Sequence, residues 1–235
     1  MQRTVPSLNT SRPLTLVIGN KNYSSWSARP WLTMTELGIP FAERMLKFDS
    51  EDWARNIDAL SPTGLVPVLW EGEPGSGFAT FDTVAILERL HELFPDAGIW
   101  PHDALARAHA RSLVADFHAG YAHLRAAMPM NIRSSHPGKG MSREVANEIQ
   151  RLCTHWRNAR DRFSSRGPFL FGDFCAADAF FTPVASRFVT HAVALDPEAA
   201  GYRDALLGTR AMRAWTEAAL VETEFVPMDE PYATA

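Results

Sequence analysis

The first part of the chain alternates between short apolar runs and stretches with helical spacing. Leu14–Ile18 is an apolar, partly β-branched run that ends at Gly19, and it predicts a buried strand. A helical pattern starts near Ser27 and stops at Gly38. Pro30 lies inside this pattern, and because proline is tolerated in a first turn, it predicts that the helix begins only a few residues earlier.

The next patterns complete an α/β unit. Residues 41–46 predict a second strand, and the apolar runs at 68–70 and 78–80 flank a turn rich in glycine and proline, which is typical of a hairpin. Residues 83–94 then return to helical spacing. The order β-α-β-β-β-α predicts a small thioredoxin-like domain at residues 13–96.

The second part of the chain has no strand pattern. Residues 95–101 contain two prolines and a glycine, and they are the best candidate for a domain boundary. The apolar positions that follow recur at helical spacing in four stretches: 104–128, 142–163, 176–193 and 204–221. We therefore predict an α/β domain followed by an all-helical bundle at residues 104–225.

Composition narrows the class of protein. The 235 residues carry a formal net charge of -4, which gives no attraction toward nucleic acid or anionic lipid. No stretch reaches the roughly 20 apolar residues of a membrane span, and residues 1–13 lack the apolar region of a signal peptide. Cys153 and Cys175 have neither metal-site nor redox-pair spacing. We expect a soluble cytoplasmic protein that binds no metal, nucleic acid or membrane.

A serine cluster lies between the first strand and its helix. Ser24, Ser25 and Ser27 surround Trp26 at the predicted N-terminus of the helix. A single serine there is most simply a helix cap. Three serines exceed what one cap requires, and a helix N-terminus next to strand ends also favours an anion or a thiolate.

Two further pairs allow both a structural and a functional interpretation. Val66-Pro67 is compatible with an ordinary strand start, or with a cis peptide whose Val66 backbone pairs with an extended ligand. Asp82-Thr83 is compatible with a helix cap, or with a site for the amino and carboxylate groups of an amino-acid end.

Together these clusters resemble the glutathione transferase superfamily over residues 14–221. The serine-rich loop with Arg29 is similar to that of the zeta class and its bacterial serine-type relatives. Val66-Pro67 matches the Val-cis-Pro of the family, and Asp82-Thr83 matches the acidic-Ser pair that holds the γ-glutamyl end of glutathione. The resemblance implies glutathione as co-substrate and a homodimer.

A long C-terminal match is the most specific one. Residues 170–179, LFGDFCAADA, resemble the structural box of the family, in which a hydroxyl caps a buried helix and an aspartate follows three residues later. Cys175 stands where the hydroxyl is expected, so capping should depend more on Asp178. Leu65 stands where relatives often have lysine, so Lys47 or Arg29 would have to meet the glycine carboxylate of glutathione.

The resemblance implies a mechanism in which a serine hydroxyl donates a hydrogen bond to the glutathione thiolate. Ser24 aligns with the thiolate donor and is the first candidate, with Ser25 the second. The electrophile would lie between this loop and the helical domain. Its predicted wall residues are Trp26, Trp31, His118, Tyr121 and Met128.

Three functions remain in competition. The leading one is a glutathione transferase that conjugates a small electrophile or, like zeta relatives, isomerises a maleylacetoacetate-type substrate. The alternative is a non-catalytic glutathione transferase-like module that binds other proteins. A glutaredoxin-like thiol-disulfide enzyme ranks last, because the loop has serines and no cysteine.

Overall fold

The computed structural model of the protein describes residues 12–164 and 167–233. The expectation that residues 1–13 contain no signal peptide therefore lies, except for its last two residues, outside the described part. No helix of the described part combines the length and the apolar character that a membrane span requires.

A four-stranded mixed sheet forms the first half of the molecule. Its strands are β1 (Leu14–Ile18), β2 (Ala42–Met45), β3 (Val68–Glu71) and β4 (Phe78–Phe81). The sheet has the order β2-β1-β3-β4, in which β1 runs parallel to β2 and antiparallel to β3, and β3 runs antiparallel to β4. The predicted strands and hairpin are confirmed.

Three helices accompany the sheet: α1 (Ser25–Leu37), α2 (Glu51–Leu60) and α3 (Thr83–Leu93). Apolar residues of β1, α1 and α3 share one continuous core. Helix α1 ends at Gly38, whose φ of 74° is the left-handed conformation that glycine adopts without steric cost. The predicted stop of this helix is therefore correct.

Pro30 lies deeper in α1 than the sequence predicted. The helix already begins at Ser25, so Pro30 is beyond the first turn. A proline there cannot donate to the carbonyl of Trp26, four residues earlier. The Thr83 hydroxyl donates to that carbonyl instead, at 3.1 Å. The tertiary contact between α1 and α3 thus compensates for the missing helical hydrogen bond, which the local sequence could not reveal.

The second half is helical, which confirms the predicted fold class. Its helices are α4 (Ala104–Ala119), α5 (Ala122–Ala127), α6 (Arg143–Phe163), α7 (Ala176–Thr190), α8 (Pro197–Leu207) and α9 (Arg210–Leu220). A short 3-10 turn, Pro227–Asp229, follows.

Two of the predicted helices are each divided in two. The stretch at 104–128 breaks at Gly120 and Tyr121, where Tyr121 has a φ of 58°. The stretch at 204–221 breaks at Thr209, which caps α9 by accepting from the Met212 N–H at 3.2 Å. Pro197 is the first residue of α8. Periodicity predicted the helical state correctly but missed these internal turns.

Helix α7 is the central element of the helical half and packs against α1 of the sheet half. Its N-terminus is held by Asp178, which has no solvent exposure. The Asp178 carboxylate accepts from the backbone N–H of Cys175 at 2.9 Å and of Leu170 at 3.1 Å, and from the Tyr202 hydroxyl at 2.9 Å. The capping therefore depends on Asp178, as the sequence indicated.

Candidate functional site

One edge of the sheet collects most of the predicted site residues. In the strand register, Ile18 at the end of β1 lies beside Met45 at the end of β2, and Val17 lies beside Val68 at the start of β3. Val68 in turn pairs with Phe81 at the end of β4. The segments that continue from this edge are the serine loop, Lys47, Val66-Pro67 and Asp82-Thr83. Sheet topology therefore gathers segments that are far apart in sequence.

The mouth of α1 carries two serines with different hydrogen-bond roles. Ser24 is the N-cap residue, but its side chain makes no capping bond. Its hydroxyl donates instead to the Ser27 hydroxyl at 2.7 Å, which also accepts from the Gly19 N–H at 3.1 Å. The Ser25 hydroxyl accepts from Arg187 Nη2 at 3.0 Å, and among the described residues it has no acceptor for its own hydrogen.

Arg29 lies directly beneath this mouth and is completely buried. Its guanidinium lies between the rings of Trp26 and Phe180, at 4.1 and 4.4 Å from their centroids. Nε donates to the Phe180 carbonyl and Nη1 to the Ser25 carbonyl, both at 2.9 Å, whereas Nη2 has no partner in the described part of the chain. Burial, followed by repulsion from Arg187 and Arg125, lowers the pKa of Arg29 well below its usual range. Arg29 thus supports the loop from below.

The N-terminus of α3 meets both halves of the molecule. Asp82, which has a φ of 72°, caps the helix by accepting from the Val84 N–H at 2.8 Å. Its second oxygen lies 2.8 Å from His118 Nε2 of α4. The His118 ring also contacts Trp26, with centroids 5.3 Å apart. The structure therefore brings Asp82, Thr83, Trp26 and His118 together beside the serine loop.

The other predicted glutathione contacts lie along the same edge. The Val66-Pro67 peptide is cis, and Val66 is partly buried immediately before β3. The Lys47 ammonium forms an ion pair with Glu224. Leu65, at the position where the family often has lysine, is exposed.

Two predicted wall residues lie in the core of the helical half instead. Met128 has no solvent exposure, and Tyr121 is 2% exposed. The Tyr121 hydroxyl donates to Asp116 and accepts from Arg151 Nε, while its ring stacks on Phe117. Burial raises the pKa of Tyr121 to about 12. Trp31 likewise packs into the core, where its indole N–H donates to Glu43 at 2.6 Å.

A C-terminal segment, residues 222–232, lies across the serine loop and was not predicted as part of the site. The Glu222 carboxylate accepts from the backbone N–H groups of Lys21 and Asn22 at 2.7 and 3.1 Å. The Tyr23 hydroxyl donates to Glu230 at 2.7 Å, and Arg133 donates to the carbonyls of this segment. These bonds fix the segment against the loop that precedes α1.

Arg187, whose Nη2 donates to the Ser25 hydroxyl, is a further residue of this region that the sequence analysis did not identify. Apart from Asp178, it is the charged residue in α7, a helix otherwise made of apolar and small polar residues. A cation at a buried helical position usually has a specific partner. That exception within an apolar helix is the sequence feature that could have identified it.

Comparison with known proteins agrees with this arrangement. Residues 23–93 match the family described as glutathione S-transferase, N-terminal domain. A dichloromethane dehalogenase from Methylorubrum extorquens is 30% identical over 96 residues, which are 40% of this chain and 31% of the dehalogenase. The chain thus matches about a third of the length of that curated relative.

Solved structures share the fold over nearly the whole chain. A glutathione transferase homologue from Burkholderia GL BGR1, with bound glutathione, has a TM-score of 0.62 at 23% identity and covers 88% of this chain and 98% of its own. The omega 3C glutathione transferase from Trametes versicolor has a TM-score of 0.64 at 18% identity, covering 95% and 90%. The chain thus has the fold of these glutathione transferases, and its residues 23–93 match the N-terminal domain of that family.

Proposed function

We propose that the protein is a glutathione transferase that binds glutathione at the described sheet edge and directs its thiolate at a small electrophile. The observation that carries the proposal is the N-terminus of α1, where two buried serine hydroxyls lie beside a helix end whose cap residue makes no side-chain capping bond. Such a helix end has N–H groups and hydroxyls available for an anion.

The strength of these groups is sufficient for the chemistry. A free thiol of the cysteine type has a pKa of about 8.5, so most glutathione is protonated at neutral pH. Lowering that pKa by about two units requires about 2.7 kcal/mol of preference for the thiolate. One hydroxyl donating to a charged sulfur contributes about 1.5 to 3 kcal/mol, and the helix N-terminus contributes about 0.3 to 1 kcal/mol.

The remaining parts of glutathione would follow the same edge of the sheet. We place the γ-glutamyl end at Asp82 and Thr83, where the α3 N-terminus attracts its carboxylate. The peptide part would pair with the Val66 main chain, as in strand addition. Its glycine carboxylate would meet Lys47 in exchange for Glu224. The glutathione bound to the Burkholderia homologue supports glutathione as the ligand.

The proposal is tested by separating binding from turnover. The protein should be retained on immobilised glutathione and should conjugate a generic aryl halide. Ser24→Ala and Ser25→Ala identify the hydroxyl, because loss of the thiolate donor should reduce turnover at least tenfold, equivalent to about 1.4 kcal/mol. Ser142→Ala, at the N-cap of α6 and away from the site, is the matched control and should retain full turnover.

The possible outcomes separate the candidate functions. Wild-type-like turnover in both loop variants would contradict a serine-stabilised thiolate. Retention on glutathione without turnover of any electrophile would favour the non-catalytic, protein-binding module. Absence of glutathione binding would refute the proposed function as a whole.

The type of reaction and the assembly are finer parts of the proposal. Because the serine loop is similar to that of the zeta class, we propose that the substrate screen begin with cis-trans isomerisation of a maleyl-type acid before conjugation substrates. We also propose a homodimer, as the superfamily resemblance implies. Sedimentation equilibrium should give twice the mass of 26.1 kDa, and a monomer would contradict this part.

A further inference from the structure

Arg187 has an unusual combination of burial and unused hydrogen-bond donors. It belongs to α7 in the helical half, and it is 5% exposed. Its Nη2 donates to the Ser25 hydroxyl at 3.0 Å, while Nε and Nη1 have no partner among the residues that the structure describes. A buried guanidinium with unsatisfied donors is unfavourable for folding. Its placement is therefore better explained by a role in the site than by stability.

The charges around Arg187 indicate that an anion is expected there. Arg125 acts on it as a like charge, and Asp229 of the C-terminal segment is the acidic group that acts on it. Within residues 12–164 and 167–233, none of the three guanidinium nitrogens bonds to a carboxylate. Burial and Arg125 lower the pKa of Arg187 to about 10, so its guanidinium is still positively charged at neutral pH.

The hydrogen-bond roles of the two mouth serines differ because of this arginine. The Ser24 hydroxyl hydrogen is directed at Ser27. Ser25 accepts from Arg187, so its own hydrogen must point elsewhere, and the described residues offer it no acceptor. A hydroxyl that accepts from a cation is polarised and becomes a stronger donor. Ser25 is thus the hydroxyl that is free to donate to an incoming sulfur.

We propose that Arg187 is a positioning residue of the thiolate site. By donating to Ser25 Oγ, it directs the Ser25 hydroxyl hydrogen toward the sulfur of glutathione and places a buried positive charge behind that hydroxyl. The S–H bond of glutathione then breaks with release of the proton to solvent, and the thiolate remains bound at Ser25. This inference rests on the proposed glutathione transferase function and assigns the donor within it.

The direct test is an ultraviolet titration of the bound thiol. Thiolate absorbance of saturating glutathione is followed from pH 5 to pH 9 with the wild type, Arg187→Gln and Arg187→Lys. Arg187→Gln should raise the pKa of the bound thiol by about one unit, the shift expected when a charge-assisted hydrogen bond is lost. Arg187→Lys keeps the charge, is a milder change to the fold, and should recover part of the shift.

A matched control and a double variant separate positioning from general charge. Arg125→Gln removes an arginine that donates to the His118 carbonyl and has no hydrogen bond to Ser25 in the described part of the chain, so it should shift the thiol pKa less than Arg187→Gln. If Arg187 acts through Ser25, the double variant Ser25→Ala with Arg187→Gln should titrate like Ser25→Ala alone. Circular dichroism confirms that each variant is folded.

Several results would overturn the inference while leaving the proposed function intact. One is glutathione that binds to Arg187→Gln and Arg187→Lys with an unchanged thiol pKa. Another is an unchanged thiol pKa in Ser25→Ala, which would make Ser24 the donor. Calorimetry of glutathione binding to the wild type distinguishes these from failure of the proposed function, in which the wild type itself would not bind.

Discussion

Helices α1 and α7 pack against each other, yet their N-termini use their polar groups in opposite ways. At α7, the buried carboxylate of Asp178 accepts from three donors of the protein itself. At α1, the cap residue Ser24 makes no side-chain capping bond, and two nitrogens of the neighbouring Arg187 have no partner among the described residues.

The difference distinguishes a structural helix N-terminus from one at which we propose that a ligand binds. Polar groups that satisfy one another in a buried cluster stabilise the fold and leave nothing for a ligand. Groups that remain unsatisfied are unfavourable for folding until a ligand supplies the missing partner. The α7 end should therefore respond to substitution through stability, and the α1 end chiefly through chemistry.

The largest effect on stability is expected at the N-terminus of α7. Asp178→Ala leaves the N–H groups of Leu170 and Cys175 and the Tyr202 hydroxyl without their acceptor, so we expect a loss of about 3 to 5 kcal/mol in the free energy of unfolding. Urea denaturation followed by circular dichroism measures it. Asp178→Asn keeps one acceptor oxygen and should lose less. A loss below about 1 kcal/mol in the alanine variant would mean that this end is not held by its carboxylate.

The N-terminus of α7 was also the part of this comparison that could be predicted from sequence. Its pattern is local, because Cys175 and Asp178 are three residues apart and need only a helix start to come together. The strands and the order of the fold were likewise predictable from local periodicity and turn residues. At the N-terminus of α1, the sequence identified the serines of the local segment but not the residues from other segments that contact them.

The contacts at the N-terminus of α1 that the sequence did not reveal depend on tertiary structure. Arg187 is 162 positions from Ser25 along the chain, and no local pattern links the two. The Thr83 hydroxyl that satisfies the carbonyl beneath Pro30 comes from another helix. Tyr121 was predicted as a pocket wall, yet it occupies a break between helices and faces Asp116 and Arg151. Sequence spacing shows which residue types are available, whereas packing decides which of them meet.

A second effect should appear in the C-terminal segment beside the N-terminus of α1, as a dependence of stability on pH. Burial, followed by repulsion from Glu230 and Asp49, raises the pKa of Asp229 to about 6 despite attraction by Arg187. The unfolded chain releases this proton near pH 4, whereas the folded protein keeps it until about pH 6. The contribution of Asp229 to stability is therefore full below pH 4 and is lost as pH rises to about 6.

Asp229→Asn should remove this dependence because its side chain stays neutral. Relative to the wild type, we expect the variant to gain about 1 to 2 kcal/mol between pH 4 and pH 7, less than the full pKa shift implies because the carboxyl is partly exposed. Urea unfolding at several pH values measures the difference between the two proteins. A constant difference across this range would show that Asp229 titrates normally.

A smaller effect on stability would show how well the N-cap residue of α7 performs its role. Cys175 stands at the N-cap of α7, where a thiol accepts a hydrogen bond poorly. Cys175→Ser supplies a better acceptor for the Asp178 N–H and should stabilise the protein by about 0.5 to 1 kcal/mol. Cys175→Ala removes the acceptor and is the matched control. If the serine variant is less stable than the alanine variant, burial of the hydroxyl outweighs the cap.

The smallest effect is the difference of about 0.5 kcal/mol that we expect between serine-to-alanine variants at two other helix N-termini. Ser50 caps α2 by accepting from the Trp53 N–H at 3.1 Å, so Ser50→Ala should lose about 1 kcal/mol of stability. Ser24→Ala removes no side-chain cap, and Ser27 still accepts from Gly19, so we expect a loss of only about 0.5 kcal/mol. Chemical denaturation of both variants in parallel gives the comparison. Equal losses would mean that Ser24 contributes to the fold as an ordinary cap does. The N-terminus of α1 would then no longer differ from a helix N-terminus with a purely structural role.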